Sequence, residues 1–204
     1  MLHFALLLDG GFIRRKLGSS SRPATSTDVR ALVASITQHG ALAGMRLHRA
    51  YYYDSAPLEG AEQKPLSGER VDFGRQPTAA RVLKLFEELR QEPFLALRLG
   101  ELAFDGWTVS ARKLAKATGP TITIGADDLR PEITQKGVDM RIGMDIAALT
   151  LKRQVQVIVL VSGDSDFVPA MKFARREGAQ VFLCPLGQHV RPTMLEHSDL
   201  LLRL

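Results

Sequence analysis

Four aspartates stand where an α/β fold collects its chemistry. Asp9 closes the apolar run His3-Phe4-Ala5-Leu6-Leu7-Leu8. Asp164 and Asp166 lie in Ser162-Gly163-Asp164-Ser165-Asp166-Phe167, directly after the apolar stretch from Val155 to Val161. Asp139 opens a helical pattern in Lys136-Gly137-Val138-Asp139. A carboxylate at the carboxyl end of a buried parallel strand points into the crevice where open α/β sheets bind their ligands. Carboxylates gathered there repel one another and resist joint ionisation unless a cation lies among them. For an all-oxygen donor set the simplest cation is Mg²⁺ or Mn²⁺. The chemistry this predicts is metal-dependent attack on a phosphate ester.

Each aspartate also has an ordinary structural use. Asp9 can cap the helix that follows it, and Asp164 or Asp166 can cap the next one. One acid satisfies a cap, so a pair two residues apart points to a second task. Asp139 complements a helix dipole wherever it stands in a first turn. Asp145 follows six positions later, a rotation of about 120° around a helix, which takes it off the Asp139 face. Asp145 therefore supports the site from outside or belongs to the surface.

The competing chemistries lack their residues. There is no Gly-rich phosphate loop ending in Lys-Ser/Thr. A haloacid-type phosphatase needs a second acid two residues after the first, and that position is Gly11. His3, His39, His48, His189 and His197 show no metal-ligand spacing. The one cysteine, Cys184, excludes an internal disulfide and a multi-cysteine zinc site, and its apolar context reads as a buried thiol.

The elements that must hold the aspartates follow from periodicity. Residues 3–8, 45–53, 94–99, 155–161 and 180–184 read as strands. Helices are expected over 12–17, from a Ser26 or Thr27 cap through Ile36, over 77–90, from about 136 to 153, and over 167–177. The tail holds a short helix and a last strand around 200–202. Residues 55–77 are polar and rich in Gly and Pro, and read as a mobile loop. Residues 100–135 read as an insert, with strand propensity at Trp107-Thr108-Val109 and Thr121-Ile122-Thr123-Ile124. Strands alternating with helices predict one domain with a mostly parallel sheet covered on both faces.

Composition narrows the partners. At 204 residues with 45% hydrophobic content, the chain suits one domain with a full core. The N-terminus has no signal-peptide pattern and no apolar run spans a bilayer, so a cytoplasmic protein with no membrane partner is expected. The formal charge of +5 leaves a more basic surface once four acids are gathered into one site. That suits a polyanion such as RNA. Arg14, Arg15, Lys16, Lys136, Arg141, Lys172, Arg175 and Arg176 are the cations nearest the motifs. Tyr51, Tyr52, Tyr53 and Trp107 are read as core packing rather than base stacking.

In order along the chain, Leu6-Leu7-Leu8-Asp9-Gly10-Gly11, then Lys136-Gly137-Val138-Asp139 with Asp145, then Ser162-Gly163-Asp164-Ser165-Asp166-Phe167, resemble the NYN domain, in particular its LabA-like branch. The strand ending Tyr52-Tyr53-Asp54, the Leu97-Arg98-Leu99-Gly100 segment and Ser198-Asp199 extend the likeness over most of the chain. The resemblance implies a PIN-like, Rossmann-type three-layer sandwich and a metal-dependent ribonuclease acting on single-stranded RNA. Asp9, Asp139, Asp164 and Asp166 would be the catalytic and metal-binding residues. Asp9 and Asp164 would be direct ligands of Mg²⁺ or Mn²⁺, while Asp139 and Asp166 would act through water or orient the nucleophile. Lys136, Ser162, Gly10 and Arg14 are the expected substrate contacts, and a homo-oligomer is admitted. Many members carry an Asn shortly after the first Asp, where this chain has Gly10-Gly11-Phe12. The alternative is a non-catalytic module with the same fold that binds RNA or protein.

Overall fold

A computed structural model describes residues 1–204. The chain opens with β1 (His3–Asp9), whose residues Phe4 to Leu8 are all fully buried. It turns at once into α1 (Gly10–Leu17). Next comes α2 (Ser26–Thr37). Its cap is Thr25, one residue before the expected Ser26: Thr25 and Asp28 bond reciprocally to each other's backbone N–H groups. That capping box satisfies two orphan donors at once, which neither Ser26 nor Thr27 does here. The chain continues through β2 (Arg46–Ser55), β3 (Ala61–Gln63), β4 (Arg70–Asp72), α3 (Pro77–Arg90), β5 (Leu95–Val109), α4 (Ala111–Ala115) and β6 (Leu129–Lys136). Then follow α5 (Val138–Leu151), β7 (Val157–Val161), α6 (Val168–Arg176), β8 (Gln180–Leu183), α7 (Pro192–Glu196) and β9 (Leu200–Leu201).

Two compact units make up the chain. The first comprises Met1–Asp54, Leu85–Gly100 and Gly137–Leu204; the second comprises Ser55–Lys84 and Glu101–Lys136. Hydrogen bonds order the seven-stranded sheet as β6-β5-β2-β1-β7-β8-β9. β1 pairs in parallel with β2 and β7, β7 with β8, and β8 with β9. Counted within the first unit alone, the strand order is third, second, first, fourth, fifth, sixth. That is the doubly wound order, and its switch point lies between β1 and β7.

Both faces of these strands are buried. Ala5 and Leu7 of β1, Ile158 and Leu160 of β7, and Val181 and Leu183 of β8 share one core with Ile142, Ile146 and Leu149 of α5 and with Met171 and Ala174 of α6. The alternate residues Phe4, Leu6, Leu8, Val157, Val159 and Val161 point the other way and are just as buried. Continuous apolar strands of this kind require helices on both sides. The fold is thus the expected α/β sandwich, consistent with a PIN-like architecture.

The second unit differs from its sequence reading in two places. The segment 55–77 contains a small antiparallel hairpin, β3 with β4, rather than loop alone. β5 runs through Trp107–Val109 as the strand propensity suggested, but Thr121–Ile124 forms no strand. The antiparallel partner is β6, in register from Glu101↔Lys136 to Val109↔Leu129. β6 carries Pro131, which an edge strand tolerates because its outward N–H has no ladder partner to lose. Phe104 packs edge-on against Trp107 and tilts against Phe73, so the tryptophan packs on the Phe104 ring. No helix is long and apolar enough to cross a membrane.

Candidate active site

β1 and β7 run side by side to Leu8↔Val161, so their carboxyl ends deliver Asp9 and Ser162 to the same edge of the sheet. The fully buried Ser162 hydroxyl donates to Asp9 Oδ2 at 2.9 Å and accepts the Asp164 N–H at 3.2 Å. Asp9 Oδ1 accepts the Phe12 N–H at 3.0 Å, and so caps α1. Asp164 Oδ1 accepts the Asp166 N–H at 2.9 Å and starts the turn Ser165–Phe167. The capping use foreseen for Asp9 is real, whereas Asp164 caps the short turn before α6 and α6 itself has no side-chain cap.

Electrostatics tie in the others. Burial lifts the Asp9 carboxyl above its ordinary range. Hydrogen bonds from Phe12 and Ser162 and the charge of Arg15 pull it back, while Asp164 pushes it further up. The Asp139 carboxyl, in the first turn of α5, is likewise raised, by partial desolvation first and then by the charges of Asp164, Asp9 and Asp166. The helix carrying Asp139 is preceded by its cap residue Gly137, whose left-handed φ of 80° favours glycine. Asp164, Asp166 and Asp139 are exposed, and Asp9 is half-buried.

Asp145 turns to the sheet instead. Its Oδ2 accepts from the Tyr53 hydroxyl at 2.8 Å and from Arg98 Nε at 3.1 Å. Arg98 also lies over the Tyr51 ring at 5.2 Å. Tyr53 is the register partner of Asp9, so Asp145 braces the strand beside the site. Tyr51, Tyr52 and Tyr53 are all buried core residues.

The expected substrate contacts separate. Gly10 serves packing: a Cβ there would lie 2.6 Å from the Tyr53 carbonyl oxygen and 2.7 Å from the Tyr52 ring. Arg14 pairs with fully buried Asp54 at 2.9 Å, which directs its guanidinium to a structural partner. Ser162 holds Asp9 as described. Lys136 ends β6 in the second unit, with its ammonium 3.9 Å from Asp105.

A cleft of about 390 Å³ opens at the strand ends, with Asp9, Ser162 and Asp164 in its lining. Phe12, Arg15, Gly163, Ser165, Gln188, His189 and Arg191 complete it. Sequence reading passed over Gln188 and Arg191 and set His189 among scattered histidines. One signal could have found them. They follow β8, and loops after the carboxyl ends of parallel strands converge on one edge.

Comparison with known proteins bears on this arrangement. Residues 104–198 match the NYN domain family model. The NYN match takes in Asp139, Asp145, Asp164, Asp166 and the cleft residues after β8, while Asp9 and Arg15 lie before it. No curated protein matches the chain in sequence. In three dimensions it resembles the crystal structure of a protein of unknown function from Vibrio parahaemolyticus. That likeness has a TM-score of 0.55 at 13% identity and covers 98% of this chain and 91% of the other. At that identity the likeness is one of fold.

The aspartates of the NYN match, together with Asp9, suit a hard cation by donor chemistry. They offer carboxylate oxygens, and desolvation first, with mutual repulsion added to it, raises Asp9 and Asp139. No group of three or more His, Cys, Asp or Glu side chains is already closed into a metal-binding cluster.

Proposed function

We propose that the chain is a metal-dependent ribonuclease of the LabA-like NYN branch, hydrolysing phosphodiester bonds in single-stranded RNA in the cytoplasm. The observation behind this reading is the field at Asp139. Its carboxyl is raised first by partial desolvation and then by the charges of three other aspartates drawn from two distant sequence motifs. A fold that crowds carboxylates at a topological switch point carries a cost that a cation relieves. Mg²⁺ or Mn²⁺, when bound, supplies an acidified water and neutralises charge on the phosphate.

The chain's own residues divide the remaining tasks. Asp9 and Asp164 line the cleft and are the candidate direct ligands. Asp139 and Asp166, outside the cleft lining, act through water or orient the nucleophile. Ser162 fixes the Asp9 carboxylate. Asp145 holds Tyr53, and through it the β2 strand next to Asp9.

One observation favours the binding-only alternative, namely the lack of a ready-made three-ligand cluster. Incubating the purified protein with labelled single-stranded RNA and Mg²⁺ or Mn²⁺ separates the two. The ribonuclease reading expects metal-dependent cleavage that Asp164→Asn abolishes. Absence of cleavage, with Asp164→Asn altering neither metal binding nor stability, would leave the binding-only module.

A further inference from the structure

We propose that Arg15, Gln188, His189 and Arg191 hold the RNA backbone, as a wall of donors in the same cleft as the Asp9 and Asp164 carboxylates. The inference rests on the RNA reading above and names the side chains that grip the substrate's phosphates.

The cleft brings unlike chemistries together. Ionised Asp9 and Asp164 can only accept hydrogen bonds, whereas two guanidinium groups, an amide and an imidazole present N–H donors. A volume of about 390 Å³ falls within the range of small-ligand sites. A phosphodiester carries a single charge and two free oxygens, which suits a planar arginine fork. Donors beside the carboxylates offset the repulsion that an anion approaching Asp9 and Asp164 would otherwise meet.

The wall is built into the fold. A Cβ on Gly163 would collide with the Gln188 amide and lie 3.1 Å from the Phe12 ring. Bare backbone at Gly163 therefore lets the loop after β8 lie directly against the loop after β7. That loop is anchored by buried Val190 and Met194 in the core, by Gln188 N–H to the Pro185 carbonyl at 2.8 Å, and by Met194 N–H to the Arg191 carbonyl at 2.9 Å.

Of the arginines near the motifs and the cleft, those of the wall are the ones without a protein partner. Arg14 is paired with Asp54, Arg175 with Asp199 and Arg176 with Glu177, and Arg141 bonds the Gly137 carbonyl. Arg15 and Arg191 enter no ion pair and are exposed in the cleft. Arg15 is near enough to Asp9 for its charge to act on that carboxyl.

The test is fluorescence anisotropy of a labelled oligouridylate across a salt series, in EDTA so that no divalent ion contributes. Wild type is compared with the Arg15→Gln/Arg191→Gln double variant. Arg46→Gln removes an equally exposed charge at the start of β2, away from the cleft, and serves as the control. The double variant is expected to bind about tenfold more weakly for each arginine lost. Its plot of log affinity against log salt should flatten by about 0.7 per arginine. Arg15→Lys/Arg191→Lys should recover the slope but not the full affinity, because the fork is lost while the charge remains. A double variant that binds like wild type, or no better separated from it than Arg46→Gln, overturns the proposal, as does a wild type that binds no RNA in EDTA. Normal cleavage with unchanged binding in the double variant would sink this inference and leave the ribonuclease reading standing. Arginine-dependent binding without cleavage would do the reverse.

Discussion

The hydroxyl of Ser162 donates to Asp9 Oδ2 across 2.9 Å, joining the ends of two neighbouring strands 153 residues apart in sequence. Ser162 is wholly buried, so the bond holds one rotamer of the Asp9 carboxylate where water cannot replace the donor. Ser162→Ala should destabilise the protein by about 1.5–3 kcal/mol, the range for hydrogen bonds to charged groups. The Asp9 carboxyl should also titrate higher, since the bond to Ser162 is one of the effects that lower it. Urea unfolding and an NMR titration of Asp9 would check the two parts separately.

The acidity of Asp139 sets a direction for stability against pH. Asp9 and Asp139 are both raised above the ordinary aspartate value of 3.8. Between 3.8 and the raised values the folded protein binds more protons than the unfolded chain. Their contribution to stability therefore grows as pH falls through that window and is complete below 3.8. Above the window both are ionised and the fold carries the cost of their desolvation and repulsion. Asp139→Asn should thus melt higher than wild type at neutral pH, with the difference closing as pH drops below 3.8. Equal melting temperatures at neutral pH would mean that the fold bears no net cost for an ionised Asp139.

A bound cation should reverse that cost. Mg²⁺ or Mn²⁺ at a hundred times its dissociation constant stabilises a folded protein by about 2.7 kcal/mol. For a chain of this size that is a rise of several degrees in Tm. The rise should be undone by EDTA and should shrink in Asp164→Asn. Differential scanning fluorimetry suffices, and a Tm indifferent to both ions would favour the binding-only module.

The two glycines after Asp9 should behave oppositely. At Gly10 a Cβ meets the Tyr53 carbonyl oxygen at 2.6 Å and the fully buried Tyr52 ring at 2.7 Å, neither of which can move aside easily. Gly10→Ala should cost about 1–3 kcal/mol through overpacking. At Gly11 the nearest atoms are 3.6 Å away, an ordinary contact. Gly11→Ala lies inside α1 and should stabilise it by up to about 1 kcal/mol through helix propensity. Chemical denaturation of both variants would show the contrast.

Much of the first unit was legible because its signals are local. The apolar runs of β1, β7 and β8 and the helical spacing of Val138, Ile142, Ile146 and Leu149 register burial within a few residues of chain. The helix Pro77–Arg90 has the very bounds that its pattern predicts. The second unit was less legible. Strand propensity at Thr121–Ile124 could not reveal that β5 takes residues 129–136 as its partner, because pairing is a choice between distant segments.

The aspartates were visible one by one, as acids at the ends of apolar runs. Their company was not. The reversal of strand order between β1 and β7 sets Asp9 beside Ser162. It also brings the loop after β8, with Gln188, His189 and Arg191, into the same cleft. Tertiary packing likewise sends Arg14 to Asp54, leaves Arg15 facing the cleft, and turns Gly10 from a candidate contact into a packing necessity. Local periodicity encodes which residues are buried and in what element. Which side chains meet depends on how sheet order closes segments more than a hundred residues apart, and no short stretch of chain carries that.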